Sequence, residues 1–378
     1  MTDTVLTNAR LVLGEIVVYG SIALSKGRIA AIDTGVAKTA GALDMDGDFL
    51  IPGVVDVHTD NLERQVQPRS NARWPSRSAL LAHDAQCAAA GLTTVLDALC
   101  IGDLGFDRDR IKTFHDGVAD LDALADTGLL KSEHFLHLRC EVPARDVLTL
   151  FDPVASHPRV RMISLMDHSP GVGQYADMEF YRALRRRDGT PDDYIESRII
   201  ELQEQRALLG IPNRRALLDR IAGREVAIAS HDDRTEDEVA ENARDGIRIS
   251  EFPVTMLAAK AAKAHEMLVI AGAPNIVRGG SHSGNVSATD LARASAVDAL
   301  ASDYVPASLV EAAFLCVEQT GMALPQAIAL ITDRPAHMAR LFDRGRLAPG
   351  LRADLVRVRV HEGLPVIRQV WRAGERVA

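Results

Sequence analysis

The chain is poor in cysteine, with four in 378 residues. Cys87, Cys100, Cys140 and Cys316 lie far apart and form no Cys-x-x-Cys pair. This excludes a disulfide framework and reads as reduced core thiols. No run of about 18 apolar residues occurs, so no segment reads as a membrane span. No basic stretch followed by an apolar run opens the chain, so a signal peptide is not expected and the cytoplasm is the expected location. Basic residues are in deficit, at 43 Lys+Arg against 52 Asp+Glu, which argues against a general nucleic-acid binder. A net charge of -9 still allows a polyanionic small substrate, because a local ring of arginines and a metal can outweigh a distant acidic surface. Internal repeats and low-complexity tracts are also lacking.

What is present is an alternation of short apolar runs with helical stretches, the pattern of βα units around a parallel sheet. Eight runs stand out: 54–58, 93–99, 135–141, 160–167, 225–230, 247–252, 267–272 and 298–303. Helical patterns over 78–90, 107–125 and 236–244 separate several of them, and a polar, arginine-bearing insert over 174–220 is expected to cover one side of a barrel mouth. Both ends of the chain instead alternate in β fashion, as in Arg10-Leu-Val-Leu13 and Asp354-Leu-Val-Arg-Val-Arg-Val360. The expected fold is a distorted (β/α)₈ TIM barrel over 52–342, with a small β-sandwich domain built from 1–51 and 343–378.

The chemistry gathers at the ends of the runs. Strand ends of a (β/α)₈ barrel converge on one rim, so ligands distant in sequence meet in space. The runs finish at His58-Thr-Asp60, Glu141, Asp167-His168, His231-Asp-Asp233, Glu251 and Asp303. The period of two in a strand puts His58 and Asp60 on one face. The same period groups His137, Arg139 and Glu141, and turns Cys140 away as a structural residue. A centre of His58, Asp60, Glu141, His168, His231 and Asp303 follows, made of nitrogen and oxygen donors only. It suits one or two divalent ions of Zn²⁺, Mn²⁺ or Fe²⁺. Asp303 has a second candidate role as acceptor of a proton from activated water.

After the seventh run comes Asn275-Ile-Val-Arg278-Gly279-Gly280-Ser281-His282-Ser283-Gly-Asn285. Its glycine amides, its hydroxyls and Arg278 are candidates to cradle phosphate, in a region where TIM barrels often bind it. Arg139 is a further phosphate candidate. Arg69 and Arg73 read either as a second anion contact or as solvated surface. His83, Asp84, His115, His157, His265 and His337 read as surface or supporting residues.

Several stretches carry a resemblance. Pro52-Gly53-Val-Val-Asp56-Val-His58 and Gly350-Leu-Arg-Ala-Asp354-Leu-Val resemble the amidohydrolase superfamily. His58-Thr-Asp-Asn-Leu-Glu63, His137-Leu-Arg-Cys-Glu141, Ser164-Leu-Met-Asp-His-Ser-Pro-Gly171, Ala229-Ser-His-Asp-Asp233, Gly272 to Asn285 and Ser302-Asp-Tyr304 resemble the ribose 1-methylphosphonate 5-triphosphate diphosphatases of the carbon–phosphorus lyase pathway. The resemblance implies water attack on a triphosphate, with diphosphate released and a ribose 5-phosphate 1-phosphonate left. It implies a small phosphorylated substrate and a metal cofactor, and neither nucleic acid nor membrane as partner; a homo-oligomer is compatible with it. The chain departs from the wider superfamily in carrying His-x-Asp on the first strand, no lysine at the fourth strand end, and Glu251 where a histidine is usual. A carbon–nitrogen hydrolase of deacetylase or dihydroorotase kind, and a non-catalytic barrel subunit, are the rival readings.

Overall fold

The computed structural model describes residues 4–69, 72–105, 108–187, 189–281 and 284–378. Five strands open the chain: β1 (Thr4–Val12), β2 (Val17–Ser25), β3 (Arg28–Thr34), β4 (Leu43–Asp44) and β5 (Phe49–Pro52). The central strands are β6 (Val54–Thr59), β7 (Leu92–Ile101), β8 (Glu133–Glu141), β9 (Val160–Met166), β10 (Ala227–His231), β11 (Ile249–Glu251), β12 (Leu268–Gly272) and β13 (Ala299–Ala301). Three more close the chain: β14 (Leu355–His361), β15 (Leu364–Arg372) and β16 (Glu375–Arg376). The helices up to the long insert are α1 (Asn61–Val66), α2 (Ser76–Ala89), α3 (Arg108–Leu124), α4 (Val147–Phe151), α5 (Met178–Arg187) and α6 (Asp192–Ile221). Those after it are α7 (Glu236–Arg244), α8 (Met256–Ala264), α9 (Ala273–Arg278), α10 (Ala288–Arg293), α11 (Ser308–Thr320), α12 (Leu324–Ala329) and α13 (Asp333–Met338).

Strands β6 to β13 form one parallel sheet in sequential order. The eight apolar runs of the sequence are these eight strands, with ends that differ by a few residues. The runs were legible because a parallel strand under helices is buried on both faces; every residue of β6 and β7 is buried. Local signals start the helices that follow: Thr235 and Glu238 form a reciprocal cap on α7, and Thr255 caps α8.

The barrel interior is one apolar cluster to which all eight strands contribute: Val55 and Val57, Leu96, Phe135, Met162, Ala229, Ile249, Ile270, and Ala299 with Ala301. Met338 and Leu341 close it from below. Ring closure between β13 and β6 is incomplete. Near the bottom the Leu330–Ile331 backbone inserts, taking Leu300 N–H at 2.9 Å and Val55 N–H at 2.9 Å. At the top a parallel bridge joins Thr59 and Asp303 directly. This wedge gives the barrel its distortion.

The termini build a separate sheet domain, in the order β16-β15-β14-β5-β1-β2-β3 with β4 on β1. The two ends of the chain meet where β14 runs antiparallel to β5, pairing Leu355 with Pro52. Leu6, Leu11, Ile22, Leu50, Leu355 and Trp371 share its core. Among the described residues no helix is long and apolar enough to cross a membrane.

Candidate active site

Moving up the strands, the interior faces change from apolar to polar. Phe135 is followed on its face by His137, Arg139 and Glu141; Ala229 by His231; Ile249 by Glu251; Ala301 by Asp303. Strand β6 reaches the same result by a slip in register between Asp56 and Thr59. The Asp56 carboxylate holds that slip, accepting His58 N–H at 3.3 Å and Ser302 N–H at 3.1 Å. His58 can then face inward directly after the inward Val57.

These faces line one cavity of about 510 Å³. His58, Asp60, Glu141, His168, His231 and Asp303 all border it, together with Arg139, Arg278, Gly280 and Ser281. Gly279 is not in its lining, and His282 and Ser283 lie outside the described residues.

Two carboxylates orient histidines, Glu251 from outside the cavity and Glu141 from its wall. Glu251, fully buried, lies 2.8 Å from His58 Nδ1 and accepts the Ser164 hydroxyl at 2.7 Å. Burial alone would raise its carboxyl, but His58 and His137 hold it well below the usual range. An ionised acceptor fixes a hydrogen of His58 on Nδ1, so Nε2, directed toward Asp60 3.5 Å away, is the ring nitrogen at which a metal ion would take the place of a second proton. Glu141 does the same for His168, taking its backbone N–H and its Nδ1 at 2.7 Å each. His168 Nε2 then faces Asp232 Oδ2 at 3.7 Å. This is the supporting pattern of metal-binding histidines.

Asp232 was missed in the sequence. Its carboxylate is 3.2 Å from His231 Nδ1 and forms a donor group with His168 and His231. A second group consists of His58, Asp60 and Asp303, and a third of His58, His231 and Glu251.

The donors fit a divalent ion. His58 Nε2, His231 Nε2 and Asp232 Oδ2 are buried without a hydrogen-bond partner, a costly condition that coordination relieves. The local field is strongly negative: burial disfavours a charged His58, yet Glu251 and Asp60 push its pKa up to about 10. Asp303 is raised by burial and by the Asp60 carboxylate. Burial lowers His137 to about 3, so it is neutral. Arg139 sets the other pole, donating to Asp60 Oδ1 at 2.7 Å.

The glycine-rich segment differs from expectation. Asn275 to Arg278 belong to α9, which starts directly after β12 with Pro274 near its first turn. Gly279 takes a left-handed conformation at φ 78° and ends the helix. Its N–H bonds Ile276 C=O at 3.1 Å, and the Gly280 N–H bonds Asn275 C=O at 2.8 Å. Those two amides are spent on the helix end, so they do not form an anion cradle. Arg278 remains exposed at the cavity wall.

Neither Arg69 nor Arg73 borders the cavity; Arg73 pairs with Asp116 at 2.9 Å. His83 and Asp84 are buried, not surface residues. With Asp97 and His134 they form a closed network: His83 to Asp97 at 2.7 Å, Asp97 to His134 at 2.8 Å, and His134 to Asp84 at 3.2 Å. Both nitrogens of each ring are partnered, His83 Nδ1 by Asn61 at 2.9 Å, so this group is structural. All four cysteines are buried and free, and Cys140 packs in the outer core.

The insert supplies part of the wall. Tyr175 and Arg185 border the cavity, and Arg206 of α6 holds Asp167 at 2.5 Å, next to His168.

No family model matches the chain. Among solved structures, N-isopropylammelide isopropylaminohydrolase from Burkholderia multivorans ATCC 17616 is similar at a TM-score of 0.64 and 18% identity, over 100% of this chain and 98% of that one. A 5-methylcytosine deaminase from Klebsiella pneumoniae reaches 0.64 at 15% identity, over 99% and 98%. At such identities the likeness concerns the fold, that of the amidohydrolases. In sequence, alpha-D-ribose 1-methylphosphonate 5-triphosphate diphosphatase of Escherichia coli (strain K12) is 41% identical over 379 residues, spanning 99% of this chain and 100% of the relative. The chain therefore belongs to the alpha-D-ribose 1-methylphosphonate 5-triphosphate diphosphatase family, hydrolases on the amidohydrolase barrel.

Proposed function

We propose that the protein hydrolyses alpha-D-ribose 1-methylphosphonate 5-triphosphate, or a ribose carrying a related alkylphosphonate, to the 5-phosphate and diphosphate, as a step of phosphonate catabolism. The observation that carries this reading is the set of bare, buried donor atoms on His58, His231 and Asp232 inside an arginine-bordered cavity of a chain so similar to that diphosphatase. A cytoplasmic location fits this role.

One or two divalent ions, of Zn²⁺, Mn²⁺ or Fe²⁺ character, would supply Lewis acidity and lower the pKa of the attacking water. His58, Asp60 and Asp303 form one candidate ligand group, and His168, His231 and Asp232 the other. Glu251 and Glu141 fix the rings of His58 and His168 from behind. Water attacks the α-phosphorus, the bond to the bridging oxygen breaks, and diphosphate departs with that oxygen. Asp303, which borders the cavity beside His58 and Asp60, accepts the proton of the water. Arg139, held by Asp60, and Arg278 offer positive charge to the phosphoryl oxygens.

The test is a substrate screen on metal-loaded protein: the ribose phosphonate triphosphate, nucleoside triphosphates, and N-acyl and cyclic amide compounds. Diphosphate released fastest from the ribose substrate is the expected result. Amide turnover without diphosphate release overturns it in favour of a carbon–nitrogen hydrolase. Failure to bind any divalent metal points to a non-catalytic barrel.

A further inference from the structure

Helix α6 runs for 30 residues, and its two faces differ. The inner face holds the turn that follows β8 and Glu141. Gln205 donates to Pro143 C=O at 2.9 Å, and Asn213 donates to the Val142 and Ala144 carbonyls at 2.9 and 3.0 Å. The outer face is a stripe in steps of three and four residues: Ile200, Glu204, Leu208, Ile211 and Arg215. All five are exposed, and the three large apolar side chains are open by 59%, 69% and 65%. Leu208 and Ile211 are neighbours at its middle, and an exposed apolar patch rimmed by charge marks a contact site. The charges on α6 divide unevenly. Arg198, Arg206, Arg214 and Arg220 each pair with a carboxylate of this chain, namely Glu201, Asp167, Asp245 and Asp152. Arg215, the remaining arginine of the helix, pairs with none among the described residues, and Glu204 pairs with no cation. The stripe thus carries a spare charge of each sign, one on either side of its apolar middle.

We propose that this face is a homodimer interface, in which α6 packs antiparallel on α6 of a second copy about a two-fold axis between Leu209 and Gly210. The order of the residues selects that occupant. Antiparallel pairing about a two-fold axis sets each residue opposite the one equally far beyond the axis on the partner. Leu208 then meets the partner's Ile211, and Glu204 meets the partner's Arg215, because both pairs are centred on the same point of the helix. Each contact occurs twice, so both spare charges are matched in both copies and the aliphatic side chains close over the axis. A parallel pairing would set Glu204 against Glu204 and Arg215 against Arg215. Glu204 and Arg215 lie about three turns apart and therefore share one face. Ala207 and Gly210 keep the middle of the helix slim, which lets two backbones approach. One pair of helices makes a small interface, so the dimer is expected to dissociate on dilution. No residue of α6 lines the cavity, so the contact can be read by mass, independently of turnover.

Sedimentation velocity of the full chain over a dilution series tests this. The wild type should form a particle of twice the chain mass that dissociates as it is diluted. Leu208→Glu places two carboxylates beside the axis and should weaken the dimer about 100-fold or more. Because that side chain is exposed, the melting curve of the diluted variant should match that of the diluted wild type. Glu204→Arg and Arg215→Glu should each weaken the dimer about tenfold, since two attractions become two repulsions. The variant carrying both changes exchanges the signs and should recover the wild-type dissociation constant to within about threefold. A wild type that stays monomeric up to its solubility limit overturns the proposal. So does a dimer whose dissociation constant moves less than twofold in all three single variants, which places the contact on another face. Failure of the double variant to recover what the single charge changes lose overturns the antiparallel pairing.

Discussion

The fixing of His58 by Glu251 can be broken without changing shape. Glu251 offers two acceptor oxygens to two donors, His58 Nδ1–H at 2.8 Å and the Ser164 hydroxyl at 2.7 Å. In Glu251→Gln one of those positions becomes an NH₂, so one donor must meet another donor. If the amide faces His58, the ring is driven to carry its hydrogen on Nε2, the atom that otherwise points at Asp60 without a partner. If it faces Ser164, the hydroxyl rotates and His58 keeps only a neutral acceptor. Either way a hydrogen bond to a charged group is lost, worth about 1.5–3 kcal/mol. That corresponds to about 10–100-fold in metal affinity, the usual cost of removing such a supporting partner. Competition against a chelator of known affinity, at one pH, reads this directly. Because Glu251 is fully buried and the replacement isosteric, the protein should stay folded, which a melting curve checks. Metal affinity within twofold of wild type would refute the assignment of His58 as a ligand held from behind.

Three further outcomes are expected. Asp303→Asn, in which asparagine tolerates the φ of 55° found there, should lower turnover by about 10²-fold or more even at metal concentrations that saturate the variant; retention of most activity removes the proton-acceptor role. Arg278→Ala should raise KM most for substrates bearing phosphate or phosphonate, and an equal loss for all substrates in the screen counts against it as an anion contact. His134 has its pKa raised to about 9, Asp97 and Asp84 outweighing a burial that alone would lower it. Its stabilisation, about 3 kcal/mol, is therefore complete below about pH 6.5 and fades as pH rises through about 9. Urea unfolding should show the wild type losing more stability between pH 7 and 10 than His134→Asn, and parallel curves would refute this.

The barrel was legible because its strands are largely buried and most of the apolar runs end on polar residues, so the runs and their endings marked both fold and rim. The inward set on β8 followed from a period of two. Asp232 escaped for the same reason: alternation turns it away from the face of His231, but its φ of 58° breaks the alternation and brings both neighbours to one donor group. The glycine-rich stretch offers Gly279 and Gly280 as free amides in the sequence, whereas the helix that starts inside the motif consumes both at its end. Of the arginines that border the cavity, Arg110 carried no signal, and Arg185 only that of its place in the arginine-bearing insert over 174–220. A charge on the polar side of a surface helix looks the same whether it meets water or a cavity, and only the path of the insert separates the two.

The left-handed residues join fold to chemistry. Asp232, Phe252 and Asp303 follow the ends of β10, β11 and β13 with φ of 58°, 53° and 55°, a conformation that costs free energy for any residue but glycine and persists only where the surroundings impose it. At Asp303 the imposition is visible. Its N–H bonds His58 C=O at 3.0 Å and its C=O takes Asp60 N–H at 2.6 Å, so the bridge that closes the ring at the top is made by the backbone of three candidate ligands. Lower down, the inserted Leu330–Ile331 backbone parts β13 from β6, and among the described residues no direct bridge joins the two strands there. The backbone spacing of His58, Asp60 and Asp303 is thus set by ring closure together with the Asp56 carboxylate that bonds His58 N–H and Ser302 N–H, and a change that loosens the seam should disturb metal affinity before it disturbs the fold.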